Sequence, residues 1–264
     1  MSKISAIYQA FLSENIVMPY FTLGDPDTAH TKACIEAAFE AGAQAIEIGI
    51  PFSDPIADGP VIQASHHRAL STKEDVSVKV GFEFVADLKK AYPSKGIFLM
   101  LSVNLVLAYG IEAFFKKGQS VNLDGVIIPD LSLESSKNYL GYATQYAVPI
   151  NFLVSPLTDV NRLTKMIRHS KGFVYLISSL GTTGEKSVFD TRLNSVIKRI
   201  RSLKTIPIII GFGISTPKQA KEMGAQANGV IIGSKLVRII ADSKGVKAAK
   251  DAVYTFVSNC VKSS

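Results

Sequence analysis

The sequence of 264 residues has little of what several classes of protein require. Its only two cysteines, Cys34 and Cys260, lie far apart in helix-like segments, so neither a disulfide framework nor a paired-cysteine metal site is expected. No uncharged apolar stretch reaches the length of about 18 residues that a membrane span needs. Residues 1–15 also lack the apolar run of a signal peptide. We therefore expect a cytoplasmic protein without a membrane partner.

Composition favours a globular protein with a large core. Hydrophobic residues make up 47% of the chain and charged residues 19%, a balance that is typical of neither disordered nor fibrous proteins. The formal net charge is +7. The basic residues are scattered and are not interleaved with aromatic residues, as they are in single-strand binders. A solvated surface explains most of them, and no nucleic-acid partner is expected, although the excess charge could steer a phosphorylated substrate inward.

Eight short apolar runs recur along the chain, each followed by a helix-like stretch. They cover residues 17–22 (VMPYFT), 45–50 (AIEIGI), 97–103 (IFLMLSV), 125–129 (GVIIP), 149–154 (PINFLV), 173–178 (FVYLIS), 207–211 (PIIIG) and 229–233 (GVIIG). Runs this short and this continuously apolar are typical of parallel strands that are covered on both faces.

Helical punctuation separates these runs. An Ala-rich stretch over residues 31–40 ends at Gly42, and the spacing of Ser71 and Glu74 predicts a capping box before a helix over residues 76–91. Ser215 or Thr216 with Pro217 predicts another helix start, with Gly224 closing that helix. A helix is also predicted over residues 235–240, and a leading helix over residues 4–13 would cap the floor of the fold.

Eight strands alternating with helices, without a linker, predict a single (β/α)₈ barrel domain over residues 1–264. An open doubly wound sheet is the alternative, but its usual G-x-G-x-x-G first turn is replaced here by LGDP at residues 23–26. Chemistry in a (β/α)₈ barrel lies at the carboxyl ends of the strands. The predicted loops over residues 51–63 and 179–190 are long, which makes them candidates for function.

Glu47 stands in the middle of an apolar run, between Ile46 and Ile48. Burying a carboxylate there is costly unless the side chain points into the mouth of the barrel. Burial would raise its pKa and suit it to proton transfer near neutral pH. The alternative is a structural glutamate that a backbone amide or a lysine satisfies at the barrel lip.

A second carboxylate, Asp58, follows eleven residues later, and Asp54 lies in the same loop. Pro51, Pro55 and Gly59 restrict the conformations of this loop, so its carboxylates are expected to be held in place. Two carboxylates in different environments can divide acid and base work. For either aspartate alone, and above all for Asp54, an Asx-turn or a helix cap is the competing explanation.

Glycine-bearing loops at consecutive strand ends predict a phosphate site. The seventh run ends in residues 211–215 (GFGIS), the eighth ends in Gly233 and Ser234, and the sixth loop holds Gly181 and Gly184. Glycines allow backbone N–H groups to approach phosphate oxygens, and a helix N-terminus favours the anion. Each glycine alone could serve only as a tight turn, but the three loops together favour phosphate binding.

The four histidines do not predict a metal site. The adjacent His66 and His67 point about 100° apart on a helix and so cannot form a ligand pair four residues apart. His30 and His169 are isolated and are most simply solvated helix residues. No metal is therefore expected.

Residues 46–60 (IEIGIPFSDPIADGP) resemble the signature of the tryptophan synthase alpha chain family. The resemblance extends over nearly the whole chain. It includes residues 19–26 (PYFTLGDP), 124–130 (DGVIIPD), 183–184 (TG), 211–213 (GFG) and 228–237 (NGVIIGSKLV).

This resemblance implies a (β/α)₈ subunit that cleaves indole-3-glycerol phosphate to indole and glyceraldehyde 3-phosphate in a retro-aldol reaction. It implies that Glu47 protonates the indole carbon bearing the glycerol chain and accepts the proton of the neighbouring hydroxyl. Asp58 would hydrogen-bond the indole N–H and stabilise the cationic intermediate. The implied substrate-binding residues are Tyr20, Tyr175, Thr183 and Phe212, and the implied phosphate-binding residues are Gly184, Gly213, Gly233 and Ser234.

The resemblance also implies a partner. A pyridoxal-phosphate-dependent beta chain would receive the indole in an alpha2beta2 heterotetramer, and no cofactor is implied in this chain itself. The residues expected to face that partner are Pro51, Phe52, Asp54 and Pro55.

Two positions depart from the family pattern. Ser179 stands where an arginine is usual, and Ser102 stands where a tyrosine is common before Asn104. Both changes would loosen closure over the substrate, so residues 179–186 are expected to be poorly ordered without ligand. The alternative function is therefore a weak or inactive lyase that mainly activates the beta chain. A different phosphate-binding barrel, such as a sugar-phosphate isomerase, would not account for residues 47–58.

Overall fold

A computed structural model describes residues 6–13, 15–177, 186–211 and 213–263. Its eight parallel strands hydrogen-bond in the order β4-β3-β2-β1-β8-β7-β6-β5. They are β1 (Ile16–Thr22), β2 (Ala45–Gly49), β3 (Gly96–Met100), β4 (Gly125–Ile127), β5 (Leu153–Val154), β6 (Val174–Ile177), β7 (Ile208–Gly211) and β8 (Gly229–Ile232). A parallel bridge between Val126 and Ile150 links β4 to the segment before β5. This nearly closed barrel confirms the predicted fold.

Helices follow the strands and cover the outside of the barrel. In the described residues they are α1 (Ala6–Ser13), α2 (Thr28–Glu40), α3 (Pro60–Leu70), α4 (Val78–Ala91), α5 (Val103–Tyr109), α6 (Ile111–Ser120), α7 (Lys137–Gln145), α8 (Val160–His169), α9 (Lys186–Leu203), α10 (Pro217–Gly224), α11 (Ser234–Asp242) and α12 (Val246–Ser263). None of the described helices is long and apolar enough to cross a membrane.

Several predicted boundaries were wrong, and three of them lie at the carboxyl ends of strands near the site. The third apolar run was expected to be a strand through Val103, but Val103 begins α5, because Ser102 accepts a hydrogen bond from the Asn104 N–H and caps that helix. The loop predicted over residues 51–63 ends earlier, at α3, which starts with Pro60. The loop predicted over residues 179–190 likewise gives way to α9 at Lys186.

The predicted capping box at Ser71 and Glu74 was also wrong. Ser71 ends α3 instead, and its hydroxyl donates to the His67 carbonyl oxygen. Helix α4 is capped by Ser77, whose Oγ accepts the Val80 N–H. At α10 the prediction is confirmed, since Thr216 and Gln219 form a capping box.

The core has two layers, and the inner one positions the site. Alternate strand residues such as Met18, Phe98 and Ile209 fill the barrel, and Tyr8 and Phe11 of α1 pack beneath them. The other strand residues pack outward against the helices. Helix α1 therefore closes the amino-terminal end of the barrel, as the predicted leading helix over residues 4–13 required, and leaves the opposite end open to solvent.

Candidate active site

Two adjoining cavities lie at the carboxyl ends of the strands. One is lined by the loop between β2 and α3, which we call the β2–α3 loop (residues 50–59), and by the ends of β3 and β4. The other extends over β6 to the segments after β7 and β8. Tyr20, Asp58 and Met100 line both.

Glu47 lies inside the barrel, in register with Tyr20 of β1 and Phe98 of β3. Its side chain is fully buried, and neither carboxylate oxygen has a hydrogen-bond partner among the described residues. Burial, reinforced by the charge of Asp58, raises the pKa of Glu47 to about 8. A carboxyl group in this state is protonated at neutral pH and can donate its proton. The alternative explanation, a glutamate satisfied at the barrel lip, is wrong.

Asp58 stands above Glu47 at the end of the β2–α3 loop. Burial and the nearby Asp130 raise its pKa to about 6, below that of Glu47. At neutral pH the pair therefore consists of an acid at Glu47 and an anion at Asp58. The structure thus brings the two predicted carboxylates together in different environments. The catalytic role of each carboxylate stays a prediction.

Tyr20 and Tyr175 fit inside the barrel because two glycines on neighbouring strands leave room for their side chains. A Cβ at Gly49 would lie 2.0 Å from the Tyr20 hydroxyl oxygen, and one at Gly211 would lie 2.4 Å from the Tyr175 ring. Burial raises the pKa of both hydroxyls, and the charge of Glu47 adds to the effect. Both tyrosines line the larger cavity, and the substrate-binding role that the resemblance implies for them stays a prediction.

A buried histidine that the sequence analysis treated as uninformative belongs to this site. His66 of α3 lies with Nε2 3.3 Å from the Tyr20 hydroxyl and 3.9 Å from Oδ2 of Asp58. Its Nδ1 accepts the backbone N–H of Phe52 at 3.1 Å. The sequence held one signal for it, since Ile62, Ser65 and His66 share the buried face of α3.

Three of the residues predicted to bind phosphate lie together at the far end of the larger cavity. Gly213, Gly233 and Ser234 line it, and Ser234 is the first residue of α11. The N-terminus of a helix attracts anions through its free N–H groups and its dipole. Two cations that the sequence analysis did not single out, Lys235 and Arg238, line the same end.

The remaining predicted residues divide into three groups. Thr183, Gly184, Phe212 and Ser179 lie outside the described residues. Pro51, Phe52, Asp54 and Pro55 lie in the β2–α3 loop, and all but the buried Pro51 line the smaller cavity. Ser102 donates a hydrogen bond of 2.7 Å to Asp130, so it anchors the end of β4 from across the cavity.

Among the described residues, no group of three or more His, Cys, Asp or Glu side chains is placed to hold a metal ion. The expectation that this chain needs no metal and no cofactor of its own stays a prediction.

Comparisons with known proteins agree on one family. A family model described as tryptophan synthase alpha chain matches residues 9–263. The chain is 38% identical to the tryptophan synthase alpha chain of Lacticaseibacillus casei over 92% of this chain and 89% of that one. It is 35% identical to the Geobacter sulfurreducens protein of the same name over 98% and 97% of the two chains.

Solved structures give the same result. Tryptophan synthase subunit alpha from Campylobacter jejuni superposes with a TM-score of 0.85 at 32% identity, covering 96% of this chain and 98% of that one. A chain of Mycobacterium tuberculosis tryptophan synthase superposes with a TM-score of 0.87 at 27% identity, covering 99% and 98%.

Proposed function

The chain belongs to the tryptophan synthase alpha chain family, and from that premise we propose that it is the lyase that cleaves indole-3-glycerol phosphate into indole and glyceraldehyde 3-phosphate. Glu47 carries the proposal. A fully buried carboxyl group inside the barrel, without a hydrogen-bond partner among the described residues, is costly to the fold, and proton transfer to a substrate explains it.

The reaction needs one acid that becomes a base. Glu47 donates its proton to the indole carbon that bears the glycerol chain, which leaves a cationic ring and a carboxylate. That carboxylate then accepts the proton of the neighbouring hydroxyl while the carbon–carbon bond breaks. The bond electrons return to the ring, so indole and an aldehyde are released and Glu47 is protonated again.

Asp58 stabilises the cationic ring. Its ionised carboxylate accepts a hydrogen bond from the indole N–H, whose positive charge grows when the ring carbon is protonated. The two pKa values suit an acid at Glu47 and an anion at Asp58, because between about pH 6 and about pH 8 Glu47 is protonated and Asp58 is ionised. Tyr20 and Tyr175, which line the larger cavity, contact the indole ring, and the family resemblance assigns Phe212 and Thr183 to substrate binding as well.

The phosphate group binds at the end of the larger cavity. Gly184, Gly213, Gly233 and Ser234 supply N–H groups and a hydroxyl, and Lys235 and Arg238 add positive charge. A like charge at the first residue of α11 would oppose the anion. We therefore expect Ser234→Asp to raise KM for the substrate at least about tenfold.

Steady-state kinetics test this placement. Lys235→Ala should raise KM less than Ser234→Asp does, and Lys244→Ala, which removes an exposed lysine beyond the end of α11, is the matched control. The parent chain should release indole and glyceraldehyde 3-phosphate in equal amounts. Release of neither product would overturn the proposed function, whereas an unchanged KM in Ser234→Asp would overturn only the phosphate placement.

We propose further that the chain works in the cytoplasm with a pyridoxal-phosphate-dependent beta chain, as an alpha2beta2 heterotetramer, and holds no cofactor itself. Exposed apolar side chains support a partner at the active-site rim. Ile56, Leu107, Leu157 and Val160 are 75%, 53%, 61% and 46% exposed, and each follows the carboxyl end of β2, β3 or β5. Apolar side chains gathered at one rim mark a protein interface.

We propose reduced activity of the isolated chain because of Ser179. Ser102, the other departure from the family pattern, lines the smaller cavity, where it caps α5 and donates a hydrogen bond to Asp130. Ser179→Arg should then raise the activity of the isolated chain. If Ser179→Arg leaves the lyase activity unchanged, and the parent chain already turns over as fast as its relatives, the proposal of reduced activity is wrong. The proposed lyase function then stands unchanged. The family relation does not favour a purely regulatory subunit.

A further inference from the structure

His66 joins three parts of the site that are distant in sequence. Its ring accepts the Phe52 N–H of the β2–α3 loop at one nitrogen and meets the Tyr20 hydroxyl of β1 at the other. The Asp58 carboxylate lies 3.9 Å from that second nitrogen. Both pairs with Tyr20 and Asp58 are largely buried.

The backbone fixes the proton on the ring. A peptide N–H can only donate, so Nδ1 of His66 must be unprotonated to accept it from Phe52. The neutral ring then carries its proton on Nε2, where it can donate to the Tyr20 oxygen at 3.3 Å. The Asp58 carboxylate, 3.9 Å from this nitrogen, is beyond hydrogen-bond distance but close enough to be attracted by the N–H dipole. Burial, which lowers the pKa of His66, favours the same neutral form.

Helix α3 holds the ring in place. Two residues beyond His66, the Arg68 side chain makes a two-pronged ion pair with Asp25 at the end of β1, at 2.8 and 2.7 Å. Tyr20 is itself anchored by the Thr22 hydroxyl, which lies 2.6 Å from Ser65 of α3. The histidine therefore sits on a rigid support, while its contacts reach a loop that carries Asp58.

We propose that His66 is a positioning residue for the lyase reaction: its Nδ1 holds the β2–α3 loop through Phe52, and its Nε2–H sets where the Asp58 carboxylate meets the indole N–H. This inference rests on the proposed function, because it acts through Asp58. A displacement of about 1 Å in a catalytic group can cost about 10²-fold in rate, so loss of this support affects turnover.

Three substitutions of His66 distinguish the contacts of its two ring nitrogens. His66→Ala removes both contacts and should lower kcat/KM about 10- to 100-fold. His66→Asn keeps an acceptor near Nδ1, and His66→Gln keeps an amide near Nε2, so each should recover part of the loss. His67→Ala on the exposed face of the same helix is the matched control and should resemble the parent.

The coupling to Asp58 is measured by ligand binding, which does not need turnover. The probe is an unreactive analogue with a propyl phosphate chain on the indole ring, titrated by calorimetry. His66→Ala should raise its Kd about tenfold in the parent but less than about twofold in Asp58→Asn, because residues that act through one contact are not additive. Should His66→Ala fail to fold, the Asn and Gln variants carry the same cycle.

Two results would overturn the inference. One is parent-like kcat/KM in all His66 variants, and the other is the same change in Kd with and without Asp58. A parent chain that neither binds the analogue nor releases indole would instead contradict the proposed function.

Discussion

The buried environment of Glu47 favours the neutral form of its carboxyl group. Its pKa rises from 4.5 to about 8 on burial, so between these values the unfolded chain loses a proton that the folded chain keeps. The free energy of unfolding must then fall as the pH rises through this range, by up to about 1.4 kcal/mol per pH unit, and stay level above it. Below about pH 4.5 the full stability is present.

Removing the titration should remove this loss of stability. Glu47→Gln keeps the shape of the side chain without an ionisable proton, so the variant should become more stable than the parent as the pH rises from about 5 to about 8. Denaturant unfolding at several pH values measures the difference. Glu83→Gln, at an exposed glutamate of α4, is the control and should track the parent. If the free energies of unfolding of Glu47→Gln and the parent differ by the same amount at every pH, Glu47 is not a buried neutral group in the folded chain.

At the residue scale, a functional side chain can be predicted from the sequence when it interrupts a regular pattern of residue types. Glu47 interrupts an apolar run, and its burial follows from that interruption. His66 breaks no pattern, because its role comes from Tyr20, which lies 46 residues away in sequence and reaches it only in the fold. Lys235 and Arg238 were overlooked for a similar reason, since lysine and arginine on a helix are usually solvated.

At the element scale, the predicted runs and the observed strands share their centres and differ at their ends. The fifth run spans six residues, but only Leu153 and Val154 form β5. Apolar runs mark buried chain, and burial continues past the last strand residue. Ile50 and Leu101, just beyond β2 and β3, remain buried and still donate backbone hydrogen bonds to the neighbouring strands. Hydrophobicity alone therefore cannot locate where a strand ends.

Capping shows the same limit. Ser71 and Glu74 have the spacing of a capping box, yet the Glu74 carboxylate accepts the Thr28 N–H, at the start of α2, at 2.7 Å. A tertiary contact thus uses the side chain that the local pattern assigned to α4. Ser77 caps α4 instead, and the Asp75 side chain accepts the N–H of that serine.

The two serines should therefore differ in their effect on stability. Ser77→Ala removes the cap of α4 and should lower the free energy of unfolding by about 0.5–2 kcal/mol. Ser71→Ala, at an exposed site after α3, should cost less. Urea unfolding of both variants checks the order. If Ser71→Ala lowers the free energy of unfolding more than Ser77→Ala does, Ser77 is not the residue whose cap stabilises α4.

At the scale of the whole molecule, the barrel could be predicted because eight apolar runs alternate with helices. The same regularity places every strand end at one rim, which is why Glu47, Asp58 and the glycine-bearing loops could be expected at one end of the barrel before the structure was known. Tyr20 and Tyr175 were assigned through the family resemblance. Which faces of the helices stay uncovered could not be predicted, because that depends on packing. The exposed Leu107 and Leu157 became visible only in the fold.

Those exposed side chains provide a test of the docking face. Leu107→Asp and Leu157→Asp place a charge in the proposed interface and should each weaken binding of a beta chain about tenfold or more. Neither residue lines the two active-site cavities, so the isolated variants should keep the parent's lyase activity. Tyr254→Asp, on α12, is the control. Unchanged affinity in both leucine variants would place the beta chain elsewhere.

The most direct test of the proposed mechanism is indole release from indole-3-glycerol phosphate by the parent chain and by Glu47→Gln, each with and without a beta chain. Loss of a positioned acid and base lowers a rate by about 10²- to 10⁴-fold, and this loss should appear in Glu47→Gln under both conditions. Binding of the unreactive indole analogue and of the beta chain should stay at the parent's level. A Glu47→Gln variant that retains most of the parent's activity would contradict the assignment of Glu47 as the proton carrier.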